Sequence, residues 1–166
     1  MKSLIPNFNN LKINAFLKIY SFLKIPLLAY VRPLVIENSK DKTVIKIQLN
    51  RRTKNHLNVM YFGALSMGAE LVIALKAVDE IYQSGKKIDF IFKDFKGDFS
   101  KRADGDVLFI CDEGQAVKDL ITQALQTSER LEGKFKSYAV VPSKSPDEKV
   151  ATFELTLSVK NRDFKK

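Results

Sequence analysis

Cysteine, histidine and long uncharged N-terminal runs are all scarce in this 166-residue chain, and each scarcity excludes something. A single cysteine, Cys111, excludes an internal disulfide framework. With only one histidine beside it, a structural zinc site within one chain is not expected either. Cys111 sits in the strand-like run VLFICDE, where a buried, unreactive thiol is the expected state rather than a nucleophile. Within residues 11–33 the longest uncharged run, 25–31, is seven residues and contains Pro26, too short for a membrane span. Lysines interrupt what would be the apolar core of a signal peptide. There is no internal repeat, no low-complexity segment and no nucleic-acid-binding motif.

What is present is ordinary for one globular domain with a sizeable core: 45 % hydrophobic and 28 % charged residues. The net charge of +9 is not evenly spread. Residues 1–60 carry 11 lysines and arginines against Glu37 and Asp41, a balance of 11 − 2 = +9, whereas the remaining 106 residues balance to zero. Such an excess suits an acidic partner: a phosphate-bearing ligand or an anionic membrane surface. Nucleic acid is not expected, because the basic residues are scattered over a helix, strands and a loop.

In residues 11–31 Lys12, Lys18 and Lys24 recur every six residues among Leu11, Ile13, Phe16, Leu17, Ile19, Tyr20, Phe22 and Leu23. Two readings stand: a helix covering the flank of the domain, or a basic amphipathic helix on a membrane surface. Pro26 and Pro33 break the pattern. Residues 1–31 are therefore separated as an N-terminal amphipathic helical segment from a domain over 32–166. Beyond them the periodicity predicts strands at 34–39 and 42–50 joined by a hairpin, and a loop at RRTKNH, 51–56. A long helix from Phe62 to Ser84 should stop at Gly85. Two strands, KIDFIFKDFKGDFS and DGDVLFICDE, follow it. A second amphipathic helix is expected over 113–131, then a hairpin of GKFKSYAVVPS and KVATFELTLSVKN linked by the turn-rich SKSPDEK. Six strands around one helix that is apolar nearly all round predict an α+β fold, a sheet wrapped about that helix.

That helix poses a chemical question. From Gly63 to Leu75 only Ser66 and Glu70 are more than weakly polar, and their four-residue spacing puts them on one face. A carboxylate in so apolar a segment is costly unless it sits at a solvent edge or lines a cleft. Both readings remain open from the residues alone.

Three pairs around the helix entrance, Asn55-His56, Gly63-Ala64 and Ala69-Glu70, carry a resemblance to the hotdog fold. In it a long helix lies in a curved antiparallel sheet. The chain resembles PaaI-like acyl-CoA thioesterases and a related thioesterase-like branch of unknown function, over about residues 34–160. In PaaI-like enzymes a His-Gly-Gly turn opens the helix, with an Asn six residues before it and an acid nine residues after. On this chain the Asn falls on Asn55, the turn on Tyr61-Phe62-Gly63 and the acid on Glu70. Tyr61 and Phe62 depart from His and Gly.

The resemblance implies hydrolysis of an acyl-CoA or acyl-carrier-protein thioester. The amides of Phe62 and Gly63 would hold the carbonyl oxygen, Glu70 would act as base or nucleophile, and Asn55 would orient water or substrate. His56, Tyr61 and Ser66 would line the substrate site, Ser66 as a small packing residue and His56 in a hydrogen-bonding role. Arg51, Arg52 and Lys54 would meet the phosphates of coenzyme A, or form a solvated basic loop. No metal and no cofactor beyond the coenzyme A of the substrate is implied. A homodimer, or a tetramer of two dimers, in the cytoplasm is expected, with peripheral membrane contact through residues 11–31 as an addition. The alternative is a non-catalytic hotdog protein that binds acyl chains, acyl-CoA or a partner protein.

Overall fold

The computed structural model describes residues 8–164, so the first seven residues of the N-terminal segment and the last two of the chain lie outside it. The element order is α1 (Phe8–Lys24), α2 (Pro26–Val31), β1 (Leu34–Asn38), β2 (Thr43–Ile47), α3 (Phe62–Ser84), β3 (Ile88–Asp98), β4 (Val107–Cys111), α4 (Gly114–Ala124), β5 (Arg130–Val141) and β6 (Ser145–Asn161). The strands form one antiparallel sheet in the order β1-β2-β4-β5-β6-β3. The sheet curves around α3, which packs against β2, β4 and β5; α4 packs against α3 and β5. This is the expected α+β arrangement, including the hairpin of β1 and β2.

Strand β6 shows how the sequence builds the inner surface. Ala151, Phe153, Leu155, Leu157 and Val159 alternate along it and all are buried. On β3, Phe90 and Phe92 pair with Val159 and Leu157, then a bulge at Lys93 shifts the register so that Phe95 pairs with Leu155. Without that extra residue the alternation would turn Phe95 to the other face. The carboxylate of Asp94 secures the bulge by accepting hydrogen bonds from the Thr156 amide (2.9 Å) and hydroxyl (2.8 Å).

Helix α3 is buried along most of its length, from Ala64 to Glu80. Gly68 permits its close approach to β4: a Cβ there would lie 2.4 Å from the Phe109 ring. The helix ends where expected, with Gly85 in the left-handed region (φ 63°) and its amide donating to the Tyr82 carbonyl. One polar feature of α3 had no warning in the hydrophobic pattern. Lys76 and Glu80 are both buried and pair at 2.9 Å, and Lys76 Nζ donates to the Ser39 carbonyl at 3.3 Å.

Two expected boundaries are corrected. Helix α4 ends at Ala124 rather than near 131, because residues from Arg130 onward already pair with β6 in β5. The turn between β5 and β6 is confined to residues 142–144, so most of SKSPDEK belongs to β6.

At the N-terminus Pro26 opens α2 after the break, occupying a first-turn position where its missing N–H costs nothing. Helix α1 covers the outer edge of β1. The Asn14 side chain donates from Nδ2 to the Val35 carbonyl (2.9 Å) and accepts the Val35 amide on Oδ1 (2.7 Å), satisfying both backbone groups as a neighbouring strand would. Leu17 and Ser21 are buried beside it.

Candidate active site

Tyr61 ends the entrance loop in an extended conformation (φ −66°, ψ 140°) and α3 begins at Phe62. Tyr61 provides no side-chain cap, and the first amide of this turn with a backbone acceptor is that of Leu65, bonded to the Tyr61 carbonyl. Among the described residues the N–H groups of Phe62, Gly63 and Ala64 have no acceptor. They point out of the positive end of a 23-residue helix dipole.

Two turns further along, Glu70 lies on an exposed strip of α3 and lines an open groove of about 470 Å³ with Ser66, Met67, Phe92, Asp94 and Phe95. Ser66 thus shares the groove with Glu70, as their spacing requires, and its hydroxyl donates to the Phe62 carbonyl at 3.1 Å. The carboxylate of Glu70 makes no hydrogen bond or ion pair among the described residues. Solvent reaches it, yet partial burial against this apolar wall raises its pKa above the ordinary carboxylate value.

A second groove of about 450 Å³ is lined by Asn55, Val59, Met60, Phe62, Leu65 and Phe99, with the Phe62 and Phe99 rings 5.1 Å apart. Asn55 and Phe62 therefore meet each other here, not in the groove of Glu70. The Asn55 side-chain Oδ1 shapes the loop by accepting the amides of Leu57 (2.9 Å) and Val59 (3.3 Å), which leaves Nδ2 as the side-chain group to reach a ligand. His56 is exposed and forms no hydrogen bond among the described residues. Lys54 Nζ donates to Asn58 at 2.8 Å, Arg51 is exposed, and Arg52 Nε is buried with no acceptor among the described residues.

Asp94 is the polar groove residue that sequence reasoning missed. Its one signal was the three-residue step from Phe92 to Phe95 in an otherwise alternating strand, the mark of a bulge. Among the described residues no group of histidine, cysteine and carboxylate side chains could hold a metal. Burial, reinforced by the neighbouring charges of Glu113 and Asp112, pushes the Cys111 thiol up to about 11, so it is inert at neutral pH.

No protein-family profile and no curated protein sequence matches the chain. Solved structures do. A Chlorobaculum tepidum protein of unknown function superposes with a TM-score of 0.77 at 8 % identity, over 91 % of this chain and 96 % of the other. A candidate thioesterase from Shewanella oneidensis gives 0.73 at 10 % identity over 89 % and 96 %. A Haemophilus influenzae thioesterase gives 0.61 at 12 % identity over 88 % and 90 %. The chain has the hotdog fold. In hotdog terms α3 is the central helix, the six strands are its wrapping, and α1 and α2 are carried on the outer edge at β1. At these identities the likeness establishes the fold, and the chemistry must be argued from the residues.

Proposed function

We propose that this hotdog protein hydrolyses an acyl-CoA or acyl-carrier-protein thioester. One observation carries the reading: an unpaired carboxylate stands in a groove on the same helix whose first three amides are open. The amides of Phe62 and Gly63 would donate hydrogen bonds to the thioester carbonyl oxygen and stabilise the oxyanion that forms as the carbon is attacked. Glu70 would either take a proton from the attacking water, or attack the carbon itself to form an acyl anhydride that water then hydrolyses; in both cases the C–S bond breaks and the carrier leaves as its thiolate.

The separation of these groups supports a site built from two chains. Glu70 lies seven residues beyond Gly63, roughly 10 Å of helix rise, more than one carbonyl group spans. A homodimer that sets Glu70 of one protomer against the open helix end of the other would close that gap. The outer edge of β3 offers the seam: it pairs only with β6 among the described strands, and Ile91 and Phe95 on it are exposed. Arg51, Arg52 and Lys54, beside the helix entrance, would meet the phosphates of coenzyme A.

A second reading, acyl binding without turnover, is favoured by the Tyr61 ring, which packs over Gly63 at the helix entrance. Release of free thiol from a panel of acyl-CoAs separates the two. Turnover that depends on Glu70 supports hydrolysis, and retention of acyl-CoA with no thiol release supports binding alone. Mixing Glu70→Ala with Phe62→Pro protein tests the shared site: mixed dimers that regain activity neither variant has alone require residues from both chains.

A further inference from the structure

Of the 18 large hydrophobic side chains left exposed by the described residues, nine lie in α1, α2 and the link between them, so the apolar surface is concentrated there. At 100° per residue Ile13, Asn14, Leu17 and Ser21 fall on the side of α1 that covers β1. Phe16 (49 % exposed), Ile19 (62 %) and Leu23 (67 %) fall on the opposite side, and α2, packed against α1, leaves Leu27 (62 %) and Tyr30 (56 %) exposed as well. Packing on the sheet explains the first side. Among the described residues it leaves the second uncovered.

Along α1 and α2 themselves the charge has one sign. No acidic residue precedes Glu37 in the sequence. At the same 100° per residue Lys12 falls on the side of Ile19 and Leu23, Lys18 and Lys24 fall at its two borders, and Arg32 follows α2; Lys18, Lys24 and Arg32 form no ion pair among the described residues. A second copy docked through the same surface would bring these cations together, which disfavours association. An anionic bilayer matches both properties. Phosphate-bearing headgroups would neutralise the lysines while the aromatic and aliphatic side chains enter the acyl boundary. Phe16, Tyr20 and Tyr30 are of the kind that settles at such an interface. No described helix is long and apolar enough to cross a membrane, so the contact is one of lying on the surface.

We propose that α1 and α2 dock the protein on an anionic lipid surface through the Phe16–Ile19–Leu23–Leu27 face and its flanking cations. The proposal stands on this surface alone and does not depend on thioester hydrolysis.

Flotation of the full chain with phosphatidylcholine vesicles, and with vesicles also containing phosphatidylglycerol, tests it. The chain is expected to float with the anionic vesicles and to be released by high salt, while leaving the neutral ones largely unbound. Each lysine reversed by Lys18→Glu or Lys24→Glu should weaken binding by at least about fivefold. Ile19→Glu combined with Leu23→Glu should abolish flotation with an unchanged melting transition, since both side chains face solvent. If that pair disturbs folding, the lysine variants carry the test. The proposal is overturned by no flotation, by equal binding to neutral vesicles, or by lysine variants that float as well as the parent. It is also overturned if Ile19→Glu/Leu23→Glu lowers the oligomeric state of a chain that does not float, because the face would then join copies of the protein.

Discussion

The ring of Tyr61 folds back over Gly63 and fills the space where a side chain would start: a Cβ on Gly63 would lie 2.6 Å from Tyr61 Cε1. Gly63→Ala therefore forces the ring outward, where Tyr61 is already half exposed. Alanine is the better helix former by about 0.5–1 kcal/mol, so stability should hold or rise. The expected outcome is an unchanged or higher melting temperature with an altered KM for acyl-CoA. An unaltered KM in steady-state assays would show that the ring does not border the substrate.

The open amides can be tested one at a time. Phe62 is the first residue of α3 and Tyr61 before it is extended, a setting that accepts proline without strain. Phe62→Pro removes one N–H and one ring, whereas Phe62→Ala removes only the ring. Loss of an oxyanion donor costs about 100- to 1000-fold in kcat. The proline variant should show that loss beyond any effect of the alanine variant, with both retaining the native circular dichroism spectrum.

Glu70 gives opposite signs for activity and stability. Partial burial raises its folded-state pKa, so it binds its proton more tightly in the native state than in the unfolded one. Below the unfolded pKa both states are protonated and the group costs nothing. As pH climbs through the unfolded value towards the folded one, stability falls. Glu70→Gln should therefore raise the melting temperature at neutral pH and not in strong acid. In the parent protein kcat should rise with pH through an inflection above the ordinary carboxylate value, and that limb should vanish in the variant. A melting temperature that falls at neutral pH would mean that the ionised carboxylate has a favourable partner.

Much of this fold was legible because local signals agreed. The apolar run that begins at Gly63 and the glycine at 85 bracket α3, and β6 alternates without interruption. Glu70 and Ser66 were legible as a pair because helical spacing alone puts them on one strip. What escaped depends on contacts far apart in sequence. The burial of Lys76 needs Glu80 and the Ser39 carbonyl, the end of α4 is set by the pairing of Arg130 with Lys160, and Asp94 enters the groove only through a bulge matched to Thr156. The entrance loop shows the same limit. Its sequence marks Asn55 as a polar group near the helix, but not that the side-chain Oδ1 is occupied by the amides of Leu57 and Val59.

Asn14 was hidden for the same reason, since its partner Val35 is 21 residues away. Asn14→Ala leaves the amide and carbonyl of a buried residue without partners, at a cost of about 1–3 kcal/mol. Urea unfolding should show a lower midpoint, and hydrogen exchange at the Val35 amide should accelerate. A midpoint equal to that of the parent would mean that water serves the strand edge as well as Asn14 does.

The central claim is that Glu70 works against the open end of α3 on a thioester. Its most direct test is thiol release from acyl-CoAs of graded chain length by the parent protein and by Glu70→Ala. The account predicts turnover of at least one acyl-CoA by the parent and a loss of about 100-fold or more in the variant, the scale of a positioned acid–base group. Equal rates for the two proteins would contradict it.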